Sequence, residues 1–182
     1  MQVSGAENRK HYLMSPQRLF LVGPMGAGKT TVGRHLAKRL AWHFTDTDAE
    51  IVRQAGQSIP QIFADEGEDG FRIRERQVID QLTQVDRRVL ALGGGSLLCE
   101  MNRHHLMHRG RVIFLCCSPE QQYQRTRYSK HRPLLNTPNP LARLQALWRE
   151  REPVYRAAAD HVVSVEQRTV AQVVEQVLMA LT

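Results

Sequence analysis

The sequence has few cysteines and no long apolar run, and each shortage excludes a class of protein. Its three cysteines, Cys99, Cys116 and Cys117, are odd in number, so they do not form the disulfide framework of a small secreted domain. Their spacing fits no common zinc site, and we interpret them as small hydrophobic residues in a reducing cytoplasm. No apolar stretch approaches the roughly 20 residues of a membrane-spanning helix. We therefore expect a cytoplasmic protein with no membrane partner.

The chain also has fewer acidic than basic residues. The chain has 25 lysines and arginines against 18 acidic residues, which gives a formal net charge of +7. Such a charge is typical of a nucleic-acid-binding face, or of an enzyme that collects cations around a cleft for anionic substrates. The cations are scattered through predicted helices, apart from a cluster between Arg125 and Arg132, and no aromatic-rich nucleic-acid motif accompanies them. We favour the enzyme and expect no nucleic-acid partner.

The length of 182 residues predicts one domain, which we place at residues 18–182. Residues 1–17 are polar, lack the apolar segment of a secretory signal, and are expected to be a flexible lead-in. From Leu19 onward strand and helix patterns alternate, which predicts an α/β fold with a parallel sheet covered on both faces.

The clearest motif is the segment Gly23–Thr30, GPMGAGKT, which fits the phosphate-loop pattern G-x-x-x-x-G-K-[ST]. The apolar run Leu19–Val22 precedes it, and an amphipathic helix follows from Thr31, as a phosphate loop requires. Glycines let the backbone N–H groups turn into one concavity, Lys29 can reach the outer phosphates, and the Thr30 hydroxyl can hold Mg²⁺. A glycine-rich turn without a ligand is the alternative. We predict a nucleotide site at Gly26, Ala27, Gly28, Lys29, Thr30 and Thr31.

Two acidic residues, Asp46 and Asp48, follow a predicted short strand at 43–45. Ligands bind at the carboxyl ends of strands in sheets of this kind, so the pair is a candidate for magnesium or substrate binding. Capping of the next helix is the simpler interpretation of an isolated Asp-Thr-Asp. The preceding phosphate loop reverses that preference, because Mg²⁺ needs a carboxylate nearby.

Two further features are ambiguous when each is taken alone. Arg72 and Glu75 lie three residues apart on a predicted helix, after a shorter helix that ends near Gly67. They are either a surface ion pair or an arginine that Glu75 holds toward a substrate carboxylate, and spacing does not decide between them. Gly93–Gly95 follow a predicted strand, where bare backbone N–H groups could receive a flat ligand or simply form a flexible turn.

The remaining chain predicts further helices and strands. A helix is expected at 97–109, where His104 and His108 share a face without an evident third metal ligand, so we prefer a solvated helix. The cations and prolines of the following segment predict a mobile lid at about 125–137, or else a solvated basic loop. A helix from Leu141 is expected to break at Pro153, and the apolar stripe of the last helix predicts core packing.

Taken together, these motifs resemble the shikimate kinase family over nearly the whole chain, from Arg18 to about Leu181. The matching segments are Gly23–Thr30, Asp46–Asp48, Phe71–Glu75, Gly93–Gly95, Arg132–Leu135 and Arg151–Tyr155. Two positions depart from the family pattern: Val154 replaces leucine, and Leu92 stands where many relatives have threonine, which removes one possible hydroxyl contact.

The resemblance implies a nucleoside-monophosphate-kinase-like three-layer sandwich with a five-stranded parallel sheet and a mobile lid. It also implies transfer of the γ-phosphoryl group of ATP to the 3-hydroxyl of shikimate, with Mg²⁺, on the route to chorismate and the aromatic amino acids. A monomer is expected. By resemblance, shikimate is held by Asp48, Arg72, Gly94 and Arg151, magnesium is served by Thr30 and Asp46, and the nucleotide is contacted by Arg125, Arg132 and Arg168. The catalytic residues are expected to be Lys29, Asp48 and Arg132.

Two alternatives remain, one a related enzyme and one a protein of another class. A related small-molecule kinase, such as a gluconate kinase, would keep the phosphate loop without needing two arginines beside the glycines. A phosphate-binding regulatory module or basic nucleic-acid binder would bind polynucleotides with an affinity that falls steeply with salt, and would release no ADP in response to an acceptor.

Overall fold

The computed structural model describes residues 17–128 and 137–181. Its five strands are β1 Arg18–Val22, β2 His43–Asp46, β3 Arg88–Ala91, β4 Arg111–Cys116 and β5 His161–Ser164. The helices are α1 Lys29–Leu40, α2 Thr47–Ala55, α3 Ile59–Leu82, α4 Glu100–Arg109, α5 Pro119–Thr126, α6 Pro140–Ala158 and α7 Val170–Ala180, with a 3₁₀ turn at Ser96–Leu98. The predicted lead-in, Arg132 and most of the predicted lid lie outside the described residues.

The sheet has the order β2-β3-β1-β4-β5, and every pair of neighbouring strands is parallel. Alternate residues of β1 face opposite layers: Phe20 and Val22 pack with α2, α3, α4 and α6, whereas Leu19 and Leu21 pack with α1 and α7. Full burial of a side chain such as Phe20 stabilises the fold by roughly 1.5–3 kcal/mol. These apolar faces confirm the predicted α/β three-layer sandwich.

The strand order determines where a ligand can bind. β1 lies between β3 and β4, so the chain leaves the carboxyl end of β1 at the point where the sheet order diverges. Crevices form at such points in parallel sheets. The phosphate loop follows β1, Asp46 ends β2 and Gly93–Gly95 follow β3, so three of the predicted motifs meet at one edge.

The predicted helix break at Pro153 is wrong. α6 continues through Pro153 to Ala158. A proline inside a helix removes one backbone hydrogen bond and costs about 3 kcal/mol. The turn after it is nevertheless held against the sheet, because Tyr155 and Ala158 are only 2% and 5% exposed. Burial of this apolar face offsets the cost, which local sequence could not indicate.

One other helix also differs from its predicted form. Instead of one helix from 97 to 109, the chain forms the 3₁₀ turn and then starts α4, because Asn102 Nδ2 donates to the Ser96 carbonyl (2.9 Å) and Arg103 donates to the Leu97 carbonyl (2.7 Å). The predicted helix end near Gly67 is confirmed, because α3 consists of two helices that meet at a kink where Gly67 has a non-helical backbone with φ of 71°. The glycine therefore interrupts the helix without opening a loop.

Candidate active site

A cleft of about 400 Å³ opens at the carboxyl ends of β1, β2 and β3. Its size is typical of small-molecule sites, which occupy roughly 300–1,000 Å³. Backbone of the phosphate loop forms one wall, and the glycines after β3 form another. The lining residues are Met25, Gly26, Gly28, Lys29, Thr30, Thr31, Asp46, Asp48, Leu92, Gly93 and Gly94.

The phosphate loop joins β1 directly to α1. Gly28 adopts a left-handed backbone (φ 86°) at the N-cap of α1, a conformation that L side chains rarely tolerate. The ammonium group of Lys29 donates to the carbonyls of Gly23 (2.7 Å) and Pro24 (2.8 Å). The loop therefore combines a helix N-terminus with a cation at its centre, and both attract an anion such as a triphosphate.

Asp46 connects the phosphate loop to the end of β2. Its Oδ2 accepts from the Thr30 hydroxyl at 2.8 Å, while its Oδ1 accepts from the backbone N–H groups of Asp48 (3.1 Å) and Ala49 (3.3 Å). The capping interpretation is therefore correct for this residue, and its role in the site stays a prediction. The cap fixes the carboxylate against Thr30, next to the loop that would receive phosphates.

A hydroxyl and a carboxylate in contact form a donor set that suits Mg²⁺, which prefers oxygen ligands. Within residues 17–128 and 137–181 no group of three or more His, Cys, Asp and Glu side chains could hold a metal. A magnesium ion at Thr30 and Asp46 would therefore take its other ligands from phosphate and water, as this ion commonly does. The residues present fit a magnesium–nucleotide complex.

The carboxyl group of Asp48, which lines the cleft, has a raised pKa. Burial raises the pKa of this carboxyl from 3.8 to about 6, and the negative charges of Asp46 and Glu75 add to the rise, whereas Lys29 and Arg72 oppose it. A carboxylate with a pKa near the working pH is suited to accept a proton.

Three side chains converge on the glycines that follow β3. A methyl group built on Gly93 would lie 2.9 Å from Asp48 Oδ1, and one on Gly95 would lie 2.9 Å from Arg72 Nη2. A methyl group on Gly94 would lie 3.7 Å from Arg151 Nη1. The structure therefore brings Arg72 and Arg151 to the same loop from α3 and α6, although 79 residues of sequence separate them. A side chain on Gly93 or Gly95 would displace the charged group beside it, whereas one on Gly94 would make only ordinary van der Waals contacts.

Arg72 is held by a buried acid. Arg72 Nη1 donates to Glu75 Oε2 at 2.8 Å, and the Glu75 side chain is 1% exposed. Glu75 Oε1 also accepts from the Ser96 hydroxyl at 2.7 Å. Burial alone would lower the pKa of Arg72, but hydrogen bonds to Glu75 and Glu68 raise it. Of the two interpretations left open by the sequence, the exposed surface pair is wrong, because one partner is fully buried.

Arg125 and Arg168, which were predicted to contact the nucleotide, lie on the β5 side of the phosphate loop. Arg125 donates to the Gly26 carbonyl at 3.0 Å and to the Val165 carbonyl at 3.4 Å. Arg168 donates to the Ser164 carbonyl at 2.6 Å. Gly93–Gly95 follow β3, which lies on the opposite side of β1 from β4 and β5. Arg132, predicted to act with the two arginines, falls outside the described residues.

Sequence reasoning missed three side chains that hold the cleft together. Thr47, fully buried, accepts from the Gly93 N–H at 3.2 Å, and Ser96 binds Glu75. Tyr155 donates to the Gly94 carbonyl at 2.5 Å. Thr47 and Tyr155 lie inside the segments Asp46–Asp48 and Arg151–Tyr155, so the sequence motifs could have indicated them. Ser96 gave none, because its partner is 21 residues away.

Comparison with known proteins gives one consistent family. The shikimate kinase family profile matches residues 25–182. A shikimate kinase from Methylococcus capsulatus is 51% identical over 164 residues, which cover 90% of this chain and 92% of that protein. The structure titled "Shikimate kinase from Acinetobacter baumannii in complex with shikimate" superposes with a TM-score of 0.87 at 45% identity, covering 93% of this chain and 94% of that one.

A more distant structural neighbour is a kinase of the alternative type considered above. A gluconokinase structure from Sinorhizobium meliloti superposes with a TM-score of 0.60 at 20% identity, and covers 91% of both chains. At that identity the likeness shows a shared fold and nothing about the substrate.

Proposed function

The chain belongs to the shikimate kinase family, and from that premise we propose how its residues carry out the family's reaction. The reaction is transfer of the γ-phosphoryl group of ATP to the 3-hydroxyl of shikimate, which gives ADP and shikimate 3-phosphate in aromatic amino acid biosynthesis. One observation carries the assignment of roles: Asp48, Arg72 and Arg151 converge on the glycines beside the phosphate loop.

The phosphate loop and Lys29 bind the triphosphate of ATP. In the structure the Lys29 ammonium bonds to two carbonyls of its own loop, so its charge already lies within the concavity. Binding of ATP would exchange at least one of these contacts for phosphate oxygens. Arg125 and Arg168 would contact the nucleotide from the β5 side, and Arg132 would join them from the segment outside the described residues.

Thr30 and Asp46 would hold Mg²⁺, with Asp46 acting through water. The bound ion would neutralise charge on the β- and γ-phosphates. The contact between the two side chains supports the assignment, because it places a hydroxyl and a carboxylate at the loop that receives those phosphates.

Arg72 and Arg151 would bind the carboxylate of shikimate by paired charged hydrogen bonds. They flank Gly94 and Gly95, where the backbone is bare. This pairing favours a small carboxylate-bearing acceptor over a polynucleotide, and the family match favours shikimate over gluconate. The same glycines leave room for the ring to approach the backbone N–H groups.

Asp48 would accept hydrogen bonds from the ring hydroxyls and take the proton of the attacking one. The 3-hydroxyl oxygen forms its bond to the γ-phosphorus as the bond from that phosphorus to the bridging oxygen of ADP breaks, and the proton passes to Asp48. Phosphoryl transfer depends mainly on positioning and charge neutralisation, so this proton transfer completes the step and need not drive it.

We also propose that the protein is a cytoplasmic monomer and that it binds no nucleic acid. Many arginines that could form a basic face are paired with acids, as in Arg53 with Glu50 and Arg74 with Glu66. No helix within the described ranges is both long and apolar enough to cross a membrane. Size-exclusion chromatography tests the monomeric state, and a polynucleotide titration at low and high salt tests the absence of nucleic-acid binding.

The activity is tested by coupled ADP release with ATP, Mg²⁺ and shikimate. Quinate and gluconate serve as control acceptors that share hydroxyls and a carboxylate with shikimate. We expect turnover with shikimate, and at least tenfold lower kcat/KM with either control. Equal rates with gluconate, or no acceptor-dependent ADP release, would contradict the proposed function.

A further inference from the structure

Tyr155 is a buried side chain that the mechanism above does not use. It is 2% exposed, and its ring packs on Phe114 with a centroid distance of 5.1 Å. Its hydroxyl reaches out of this apolar contact and donates to the Gly94 carbonyl at 2.5 Å, across 61 residues of sequence. A purely structural tyrosine would not need to direct its polar end at the acceptor side of the cleft.

The loop that receives this bond is intrinsically flexible. Three successive glycines have more accessible backbone conformations than any other tripeptide, and ordering them costs correspondingly more conformational entropy. Local bonds hold its two ends: Gly93 O accepts from Ser96 N (3.1 Å), and Gly95 O accepts from Leu98 N (3.0 Å). The bond to the middle carbonyl comes from Tyr155, on a different element.

The same hydroxyl lies near Arg151, because a methyl group on Gly94 would lie 3.6 Å from the Tyr155 hydroxyl and 3.7 Å from Arg151 Nη1. Burial raises the pKa of Tyr155 to about 12, while the charge of Arg151 and a hydrogen bond from it act in the opposite direction. The phenol therefore stays protonated and remains a donor at neutral pH. Because α6 continues through Pro153, Arg151 and Tyr155 are one helical turn apart and face Gly94 together. Arg151 Nε is buried without a hydrogen bond to any described residue.

We propose that Tyr155 is a positioning residue that fixes both the Gly94 peptide and the Arg151 guanidinium for the shikimate carboxylate. It does not touch the reacting atoms. It fixes the orientation of the Gly94–Gly95 peptide and restricts the guanidinium group of Arg151, which lies near its hydroxyl. The inference rests on the proposed function, because it assigns this half of the cleft to shikimate. It predicts an effect on acceptor binding that nucleotide binding does not share.

Tyr155→Phe tests the inference, since it keeps the ring and removes one hydroxyl. We expect the KM for shikimate to rise about five- to tenfold, as loss of one buried hydrogen bond would give. The KM for ATP should change less than twofold. The matched control is Thr83→Val, which removes a fully buried hydroxyl that accepts from Arg109 at 2.8 Å, away from the cleft-lining residues. This control should lower the melting temperature and leave both KM values unchanged.

A double-mutant cycle with Arg151→Ala separates positioning from general packing. If Tyr155 acts through Arg151 and Gly94, the loss of kcat/KM for shikimate caused by Tyr155→Phe should be smaller in the Arg151→Ala background. An unchanged KM for shikimate overturns the inference, as does an equal rise of both KM values. Failure of the unmodified protein to phosphorylate shikimate would instead contradict the proposed function, so the two failures are distinguishable.

Discussion

At the scale of single residues, the structure separates two arginines that look alike in sequence. Arg151 approaches Gly94 from α6, whereas Arg149, two residues earlier on the same helix, is exposed. The two guanidinium groups carry the same charge and differ in what they face. Only the first can meet the carboxylate of a ligand in the cleft, so paired substitutions can isolate that contact.

Arg151→Ala should raise the KM for shikimate at least about 30-fold, because loss of a charged hydrogen-bonded partner costs about 2–5 kcal/mol. The KM for ATP should change less than threefold. Arg149→Ala is the matched control and should leave both values near those of the unmodified protein. Steady-state kinetics with each substrate varied in turn provides the measurement, and an unchanged shikimate KM would remove Arg151 from the site.

Asp48 makes the reaction depend on pH in a predictable direction. With its pKa raised to about 6, the carboxyl is protonated below that pH and cannot accept the proton of the attacking hydroxyl. The kcat/KM for shikimate should therefore fall about tenfold per pH unit on the acid side of 6. A pH–rate profile of the free enzyme measures this limb, and a flat profile between pH 5 and 7 would remove Asp48 as the base.

The same pKa rise has a consequence for stability. Asp48 is harder to ionise in the folded state than in the unfolded chain, so the folded state binds more protons between pH 3.8 and about 6. This group's contribution to stability is therefore lost as pH rises through that window. Asp48→Asn should be inactive yet more stable than the unmodified protein at pH 7, by about 1–3 kcal/mol. Below pH 4 the difference should vanish. Urea unfolding at pH 4 and 7 tests the sign.

At the scale of elements, the glycine loop is shaped by what approaches it. Gly95 has an ordinary backbone (φ −99°), so a methyl group there would cause no backbone strain. It would meet the Arg72 guanidinium at 2.9 Å and push the mobile end of that side chain aside. The effect of a substitution at this position should therefore pass through Arg72.

Gly95→Ala should raise the KM for shikimate about tenfold or more while the KM for ATP stays within twofold. In an Arg72→Ala background the same substitution should have little further effect, because the displaced group is already gone. Kinetics of the two single variants and the double variant provide the test. Additive losses would mean that the methyl group acts on the loop itself.

Sequence patterns were sufficient for elements with strong local signals. The apolar run of β1 and the stripe of α7 depend on neighbours a few residues away, and both formed as predicted. The continuation of α6 past Pro153 was not predictable in this way. It depends on Tyr155 packing against Phe114 and bonding to Gly94, contacts 41 and 61 residues away along the chain.

The same division holds for the candidate site. The phosphate loop, Asp46 and Asp48 were predicted from motifs, because phosphate recognition demands particular residue types. Arg72 and Arg151 were predicted to bind the substrate only from the family resemblance. Ser96 was not found, because a serine near a glycine loop has many possible roles. Only the fold brings its hydroxyl to the buried carboxylate of Glu75. Supporting residues of this kind are specified by tertiary contact and leave no pattern of their own.

At the scale of the whole molecule, nucleotide binding should stabilise the folded state without being needed for it. The phosphate loop lies between β1 and α1, and residues of both elements are buried in the layer shared with α7. Lys29 contributes charge to the loop and contacts its carbonyls, whereas the apolar contacts hold the fold. A ligand that binds only the folded state at 100 times its Kd adds about 2.7 kcal/mol.

Lys29→Met should therefore keep the circular dichroism spectrum and lose phosphoryl transfer. For a domain of this size, ATP with Mg²⁺ at 100 times Kd should raise the melting temperature of the unmodified protein by about 5–10 °C, and this shift should be absent in the variant. Lys38→Met removes an exposed cation from the same helix and should retain both activity and shift. A collapsed spectrum for Lys29→Met would show that the ammonium group holds the loop together. In that case its two carbonyl contacts would be structural, and the loss of transfer could not be assigned to phosphate binding.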